Sequence, residues 1–195
     1  MDPLYLTLRN LTLPIVAITT SANGKRNGLI VNSAQRASLV PAFMRVSMYI
    51  SKTNLTHDLI MSSGVFGLHL LRADQWDVVR ALGITSGRDG DKLAQLGTRS
   101  GDTGCPLLTD CLAALECRVA NTMDAGAATF FLGDVLSAAS GEDGPVMTAD
   151  YFRANLPPDL RAAYEANLAK AQHELESITS TVNPSVTWKG PTGKA

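Results

Sequence analysis

The sequence predicts a mainly β fold, with six antiparallel strands in a barrel or sandwich, flanking helices and a C-terminal helix. Three observations support this prediction. Six segments have the length and the apolar or alternating pattern of strands. A Gly- and Asn-rich run between the first two segments indicates a hairpin, and an apolar stripe at helical spacing marks the tail of the chain.

The composition is that of one globular domain without a basic field. The chain has 195 residues, of which 45% are apolar and 18% charged, and its net charge is −1, so we expect no general attraction to nucleic acid. The N-terminal segment MDPLYLTLRN lacks the basic start and apolar run of a secretory signal. No segment reaches the roughly 20 apolar residues that span a bilayer, and a cytoplasmic protein without a membrane partner is predicted.

Strands occupy the first two thirds of the chain. Residues 13–20 (LPIVAITT) lead through SANGKRNG, a hairpin signal, into a second strand, LIVNS. In residues 43–50, the side chains of Val46, Met48 and Ile50 share one face, which is typical of a half-buried strand. Three more strands are predicted at residues 65–71, 112–122 and 128–138.

Helices interrupt and follow these strands. Thr53 or Thr56 could cap a helix that runs through Met61, and Asp74 could cap a second helix. Residues 86–97 have the pattern of a loop that leads into a short helix. The longest helix is predicted at residues 156–178, with an apolar stripe that must be buried on the barrel or on a partner subunit: Leu160, Tyr164, Leu168, Ala171, Leu175 and Ile178. We therefore divide the chain into a strand-rich domain, residues 1–148, and a C-terminal helix and tail, residues 149–195.

The three cysteines do not indicate a disulfide framework or a metal centre. Cys105, Cys111 and Cys117 are spaced six residues apart, which does not match the CxxC pairs of zinc sites, and their number is odd. Cys117 lies in an apolar, strand-like segment and is expected to be a buried small side chain. No metal site is predicted.

The segment 51–57 (SKTNLTH) is rich in hydrogen-bond donors. It connects a strand to a predicted helix start, where free backbone N–H groups favour an anion and Lys52 adds a positive charge. Its hydroxyl groups can donate to phosphate oxygens. The segment therefore indicates either a phosphate cradle or a well-capped helix with a solvated lysine, and taken alone it favours the capped helix.

A second polar run lies in residues 27–42 (NGLIVNSAQRASLVPA). Asn32, Ser33, Gln35 and Ser38 lie between two strands and can offer hydrogen bonds to the edge of a flat heteroaromatic ring. A polar strand edge or bend is the other interpretation.

The order of these segments resembles the flavin reductase-like family, whose fold is the FMN-binding split barrel. The resemblance covers roughly residues 10–140. Its elements are Thr19–Thr20, Asn27–Gly28 as the counterpart of an NG turn, Val31–Asn32–Ser33, Ala37–Ser38–Leu39, Pro41, Ser51 to His57, Phe66 to Leu71, Asp91–Lys92 and the strand FFLGDV at 130–135.

The resemblance implies a six-stranded antiparallel split β-barrel that forms a homodimer and binds FMN or FAD near the subunit boundary. The isoalloxazine ring would lie along Asn32, Ser33, Ala34 and Gln35, with Ser38 near the ring or the ribityl chain. The phosphate would be bound by Ser51, Lys52, Thr53, Thr56 and His57.

The implied activity is flavin reduction by NAD(P)H, in which a hydride passes to the flavin and no protein acid or base is required. The reduced flavin would serve a partner oxygenase, free flavin or ferric iron. One departure favours an alternative. Ala127 and Ala128 stand where many family reductases carry Gly-Asp-His, and this favours an electron-transfer flavoprotein without direct NAD(P)H activity. Two smaller departures follow. Val40–Pro41–Ala42 stands where the family has an Asp-Pro-Pro bend, and Leu93 stands where the family's DKF element has its phenylalanine.

Several other residues have two interpretations each. His57 either belongs to the cradle or makes a structural hydrogen bond near the helix start. His69 is expected to be a core histidine and His173 a solvated one. The charged loop around Arg88 and Lys92 either reaches the flavin or is plain surface.

Overall fold

The computed structural model describes residue 11 and residues 13–179. None of the helices in this part of the chain has the length and apolar character of a membrane span. In chain order the elements are β1 (Val16–Ala22), β2 (Lys25–Val31), β3 (Gln35–Arg36), β4 (Arg45–Ser51), α1 (Leu55–Ser63), β5 (Val65–Leu70), α2 (Trp76–Val79) with a π-helical turn (Arg80–Ile84), β6 (Thr98–Ser100), β7 (Pro106–Leu108), β8 (Ala113–Asp124), β9 (Ala128–Ser140), α3 (Ala149–Asn155) and α4 (Pro158–Thr179).

The predicted mainly β fold with flanking helices is confirmed, but the six-stranded barrel is wrong in number and closure. Each of the six predicted strands is present, and β3 joins them in one antiparallel sheet of seven strands in the order β2-β1-β5-β8-β9-β4-β3. The edge strands β2 and β3 do not pair with each other. The strands β6 and β7 form a separate two-stranded sheet.

The large sheet is nevertheless curled. Seven strands laid flat would place the two edges about 29 Å apart, whereas the three residues 32–34 that join β2 to β3 span at most about 14 Å. The edges therefore approach each other without hydrogen bonding. Side chains from six strands meet inside the curl, among them Ile18, Met48, Phe66 and Phe131.

A second core lies on the outer face of β1 and β5. The π-helical turn, α3 and α4 pack there, with Leu82, Phe152 and Leu160 buried against Ala17 and Leu71. The first half of α4 packs on its own domain, because Leu160 is buried in this core, as predicted, and Tyr164 packs against it. The boundary at residue 148 stays a prediction.

The hairpin between β1 and β2 turns at Asn23 and Gly24. Both residues have positive φ angles, 53° and 75°, as a two-residue turn of type I′ requires. The NG turn that the resemblance assigned to Asn27 and Gly28 is therefore misplaced, because both residues lie within β2. Gly28 is needed there for close packing, since a Cβ atom would lie 2.9 Å from the carbonyl oxygen of Ile18.

The helix starts also differ from the prediction. Helix α1 has Asn54 as its N-cap and α2 has Gln75, and neither side chain makes a capping hydrogen bond. Thr53, Thr56 and Asp74 are therefore not caps. Residues 86–97 form turns without a helix. The predicted tail helix is confirmed as α4, and the short helix α3 before it was not predicted.

The three cysteines are buried and unpaired. Burial raises the pKa of Cys105 and Cys117 to about 12, so both thiols stay protonated and unreactive at neutral pH. The expectation that Cys117 is a small core side chain is confirmed.

Candidate functional site

The donor-rich segment 51–57 forms a tight turn into helix α1. The Ser51 hydroxyl lies 2.9 Å from the Thr53 hydroxyl, and the backbone N–H of Asn54 donates to the carbonyl oxygen of Ser51. Because the Asn54 side chain does not cap the helix, the first N–H groups of α1 have no side-chain acceptor within the part of the chain that the structure describes. Such a helix start favours a negatively charged group.

A pocket of about 280 Å³ opens beside this helix start. We call it the Arg88 pocket. Its walls are β2, the first turn of α1, the segment after the π-helical turn, and one face of α4. The residues that line it are Asn27, Gly28, Leu29, Ile30, Thr53, Asn54, Leu55, Thr56, Leu82, Gly83, Ile84, Thr85, Ser86, Gly87, Arg88, Lys92, Asn167, Lys170, Ala171 and Glu174.

Two cations from one loop contribute positive charge to the Arg88 pocket. The Arg88 guanidinium donates to the carbonyl oxygen of Thr53 at 3.1 Å and lies 3.7 Å from the Asp58 carboxylate. The Lys92 ammonium donates to the carbonyl oxygen of Leu82. Burial lowers the pKa of Lys92 to about 8, which means that desolvation destabilises its charged form. A bound anion would offset this cost by its attraction to the ammonium group.

Asn27 presents an unsatisfied acceptor in the same pocket. Its side chain is 3% exposed, and its amide N–H donates to the Thr56 hydroxyl at 3.0 Å. Its Oδ1 atom has no hydrogen-bond partner among the described residues. A Cβ atom on Gly87 would lie 2.2 Å from this oxygen. Buried polar atoms are normally paired, so Oδ1 is suited to accept a hydrogen bond from a ligand hydroxyl.

The five residues predicted to bind phosphate take different places. Thr53 and Thr56 line the Arg88 pocket, and Ser51 contacts Thr53. Lys52 does not line it. The Lys52 backbone N–H donates to Ala127 and so extends the β4–β9 ladder, and its ammonium pairs with Asp124 at 2.7 Å.

His57 points away from the pocket toward β9. Its Nε2 atom lies 2.8 Å from the Thr129 hydroxyl, and its Nδ1 atom lies 3.2 Å from the Asp58 carboxylate. Its ring also makes an edge contact with Phe131. The structure thus gives His57 the structural hydrogen bonds that the sequence left as one of two possibilities.

The residues predicted to contact a flavin ring lie beside two larger cavities. Asn32, Ser33 and Gln35 line a cavity of about 620 Å³, the Tyr49 cavity, together with Tyr49 and Phe130. Ile30 lines both this cavity and the Arg88 pocket, so the two are neighbours along β2.

Ala34 and Ser38 line a different cavity of about 580 Å³, which Gln35 also borders. We call it the Val40 cavity, after one of the apolar residues that form most of its wall. The Ser38 hydroxyl accepts a hydrogen bond from the backbone N–H of Val40 at 3.1 Å. Asn32, Ser33 and Gln35 therefore line a cavity that shares Ile30 with the Arg88 pocket, whereas the cavity that Ser38 lines shares no residue with that pocket.

His69 is a core histidine, as predicted. Its Nδ1–H group donates to the carbonyl oxygen of Ala17, and its Nε2 atom accepts from the backbone N–H of Leu108, both at 3.1 Å. Burial lowers its pKa to about 4, so the ring is neutral and both nitrogens are occupied. His173 is exposed on α4, also as predicted.

Four polar residues of the Arg88 pocket lie outside the phosphate site that the sequence predicts. Arg88 and Lys92 belong to a charged loop, RDGDK, for which the sequence allows either a flavin contact or plain surface, and both line the pocket. The sequence pattern assigns Asn27 to a turn. Lys170 lies on a helix that is distant in sequence, and no local pattern connects it to the pocket.

The family comparison is direct. The sequence model of the family described as "Flavin reductase like domain" matches residues 8–157 of this chain. The high molecular weight rubredoxin of Moorella thermoacetica is 33% identical over 147 residues, which are 74% of this chain and 63% of that protein. This chain therefore spans less than two thirds of that relative.

Two further proteins are similar over most of their lengths. The FMN reductase (NADH) of Agrobacterium fabrum is 33% identical over 135 residues, which are 69% of this chain and 74% of that enzyme. The crystal structure of a nitrilotriacetate monooxygenase component B homologue from Mycobacterium thermoresistibile superposes with a TM-score of 0.62 at 26% identity, covering 70% of this chain and 74% of that one.

Proposed function

This chain belongs to the flavin reductase like domain family, and on that premise we propose that it is a flavin-binding oxidoreductase that takes a hydride from NAD(P)H. FMN is the proposed flavin. The name of the similar FMN reductase (NADH) from Agrobacterium fabrum supports both the cofactor and the electron donor.

The Arg88 pocket is the observation that carries this proposal. It combines the uncapped start of α1, the Thr53 hydroxyl and the cations Arg88 and Lys92. A phosphate monoester carries between one and two negative charges at neutral pH and three acceptor oxygens, and this donor set matches it. The orphaned Oδ1 atom of Asn27 would accept a hydrogen bond from a ribityl hydroxyl.

The ring end of the flavin is proposed to lie along Asn32, Ser33, Ala34 and Gln35. Support comes from the position of the Tyr49 cavity next to the Arg88 pocket, with Ile30 between them. Ser51, Lys52, His57 and Ser38 stay predictions, because their observed contacts do not bring them into the Arg88 pocket.

The residues of this chain have the task of binding and orienting the reactants. When bound, the flavin supplies the hydride-accepting chemistry. His69 is neutral with both nitrogens engaged, and the buried thiols Cys105 and Cys117 stay protonated, so none of these groups is suited to acid–base or nucleophilic work. Catalysis therefore rests on the arrangement of flavin and nicotinamide.

A second candidate function is electron transfer without direct use of NAD(P)H. The specific observation in its favour is that Ala127, just before β9, and Ala128, its first residue, stand where the resemblance predicts a histidine. Neither side chain can donate a hydrogen bond to a nicotinamide.

We also propose a cytoplasmic homodimer that passes reduced flavin to a partner such as an oxygenase. Exposed apolar side chains on β4, β8 and β9 support a subunit interface, with Tyr49, Met123 and Leu136 between 43% and 53% exposed. The name of the Mycobacterium protein, component B of a monooxygenase, supports an oxygenase as the electron acceptor.

The test is an anaerobic absorbance titration. The purified protein is loaded with FMN or FAD and then mixed with NADH and, separately, with NADPH. Bleaching of the flavin absorbance by either nucleotide supports the reductase. A stable flavin complex that neither nucleotide bleaches supports the electron-transfer function instead. Failure to bind either flavin would contradict both.

A variant pair connects the result to the pocket. Arg88→Ala removes a charge-assisted contact and should weaken FMN binding by about 10-fold or more. Lys25→Ala removes an exposed lysine at the start of β2, outside the pocket, and should leave FMN binding unchanged.

A further inference from the structure

Helix α4 lies outside the part of the chain that the family model covers. The match ends at residue 157, and α4 begins at Pro158. The helix is fastened to the domain at its first half. Leu160 is buried in the outer core, Asp159 pairs with Arg80, and the Asn167 amide donates to the carbonyl oxygen of Ile84 at 2.9 Å. Its position beside the pocket is therefore not part of the match to the family model.

One face of α4 forms a wall of the Arg88 pocket. Asn167, Lys170, Ala171 and Glu174 line it, and their spacing of three and four residues places them on one stripe of the helix. On the same helix, Tyr164 and Leu168 line the Tyr49 cavity. The helix thus borders both cavities in which the flavin is proposed to bind.

Lys170 brings a third cation to the pocket, beside Arg88 and Lys92. Its ammonium lies 3.9 Å from the Glu174 carboxylate, and its side chain is 75% exposed. An exposed pair at that distance is weak, so the ammonium can turn toward a phosphate at little cost.

The wall limits the size of the group that enters the Arg88 pocket. The volume of the Arg88 pocket, about 280 Å³, lies just below the roughly 300 Å³ at which pockets hold a whole drug-sized ligand. The phosphate end of FMN fits such a space. FAD adds a second phosphate and an adenosine beyond that phosphate, and these groups need more space than the α4 wall leaves in a pocket of this volume.

We propose that helix α4 makes the flavin site selective for FMN over FAD, with Asn167 fixing the helix in place and Lys170 contacting the terminal phosphate. This inference rests on the proposed function and assigns a structural cause to the preference for FMN. It assigns a specificity-determining role to residues 158–179, which the family match does not include.

The test measures dissociation constants of the full-length protein for FMN, FAD and riboflavin by quenching of flavin fluorescence. Wild-type protein should bind FMN at least about 10-fold more tightly than FAD. Lys170→Ala should weaken FMN binding about two- to fivefold and leave riboflavin, which has no phosphate, unchanged. Asn167→Ala should reduce the preference for FMN by about threefold or more, because the helix loses its bond to Ile84.

Two matched controls accompany these variants. Lys25→Ala removes an exposed lysine outside the pocket. Asn155→Ala removes an asparagine that also donates to a backbone carbonyl, that of Tyr151 at 2.9 Å, but lies on α3 away from the pocket. Both should retain the wild-type preference.

The outcomes separate this inference from the proposed function. If FMN and FAD bind with equal affinity, or if Asn167→Ala keeps the full preference, the role of α4 is refuted while the flavin site stands. A wild-type preference for FAD also refutes it. If none of the three flavins binds, the proposed function itself fails and the inference fails with it.

Discussion

Replacing Lys92 with methionine should make the ligand-free protein more stable and the flavin complex weaker. Lys92 is half-buried in the Arg88 pocket, and burial lowers its pKa from 10.5 to about 8. Each pKa unit corresponds to about 1.4 kcal/mol, so holding this charge costs the folded state about 3.4 kcal/mol. Methionine keeps the apolar stem but loses the charge-assisted hydrogen bond to the carbonyl oxygen of Leu82, worth about 1.5–3 kcal/mol. The net expectation is a gain of about 0.5–2 kcal/mol in the free energy of unfolding at pH 7.

The pH dependence gives this prediction a second check. Between pH 8 and 10.5 the unfolded state still binds the Lys92 proton while the folded state has released it, so the wild-type free energy of unfolding rises with pH in that window. The cost is complete below pH 8 and absent above about 10.5. The advantage of Lys92→Met should therefore shrink from pH 8 upward.

Urea unfolding of the ligand-free protein at pH 7 and pH 10 measures both effects. FMN binding by Lys92→Met should be about 10- to 150-fold weaker than wild type, because a charge-assisted bond to phosphate is lost. Lys25→Met, at an exposed position, should change neither quantity. A Lys92→Met protein that is less stable than wild type at pH 7, or whose advantage is independent of pH, would refute the reasoning.

Three further predictions concern Glu116, Gly87 and Lys52. Desolvation raises the pKa of Glu116, but the hydrogen bonds that its carboxylate accepts, chiefly from Thr103, outweigh this effect and hold the pKa below its usual range. Glu116→Gln should therefore lower the free energy of unfolding by about 1–3 kcal/mol at pH 7. The wild-type advantage is complete above the unfolded-state pKa of about 4.3 and is lost as pH falls through the folded-state pKa, which urea midpoints at several pH values would report. Gly87→Ala should weaken FMN binding, measured by fluorescence quenching, because its Cβ atom would meet Oδ1 of Asn27 at 2.2 Å. Lys52→Ala, in the same assay, should weaken FMN binding less than Arg88→Ala does, because the Lys52 ammonium is engaged in a surface ion pair.

Each of these predictions has an outcome that contradicts it. Equal midpoints for Glu116→Gln and wild type at pH 7 would mean that its hydrogen bonds add nothing to stability. Gly90→Ala is the control for Gly87, since a Cβ atom there meets open space, and equal affinities of the two variants would exclude the steric argument. A larger loss of FMN affinity in Lys52→Ala than in Arg88→Ala would support a phosphate site at Lys52, as the sequence predicts, and contradict the Arg88 pocket.

The long strands were predictable because each carries several periods of its own pattern. In β4, the alternation of Val46, Met48 and Ile50 within five residues predicts which face is buried, and all three are buried as expected. The strands β3, β6 and β7 have two or three residues, which is too short for a period of two to be detected. Whether the sheet closes depends on pairing between strands that are distant in sequence, so no single segment predicts it.

The site was harder to predict for a related reason. The pocket combines β2, α1, the loop at residues 85–92 and α4, and no segment alone shows which of its charges point inward. Lys52 has the right residue type at the right helix start, yet its backbone continues the β4–β9 ladder. That geometry directs the side chain to Asp124 on the hairpin of β8 and β9. Lys92, forty residues later, supplies the cation instead.

The Arg88 pocket contains three local features that a purely structural region would avoid. A half-buried lysine has a lowered pKa, a buried acceptor on Asn27 has no partner among the described residues, and Gly87 packs so close to that acceptor that a Cβ atom would lie 2.2 Å from it. Each feature lowers stability or is neutral at best, and sequences that fold well are otherwise consistent at every level. A bound phosphate and ribityl chain would correct the first two features at once. Their coincidence within one pocket is therefore stronger support for a ligand site than any of them alone.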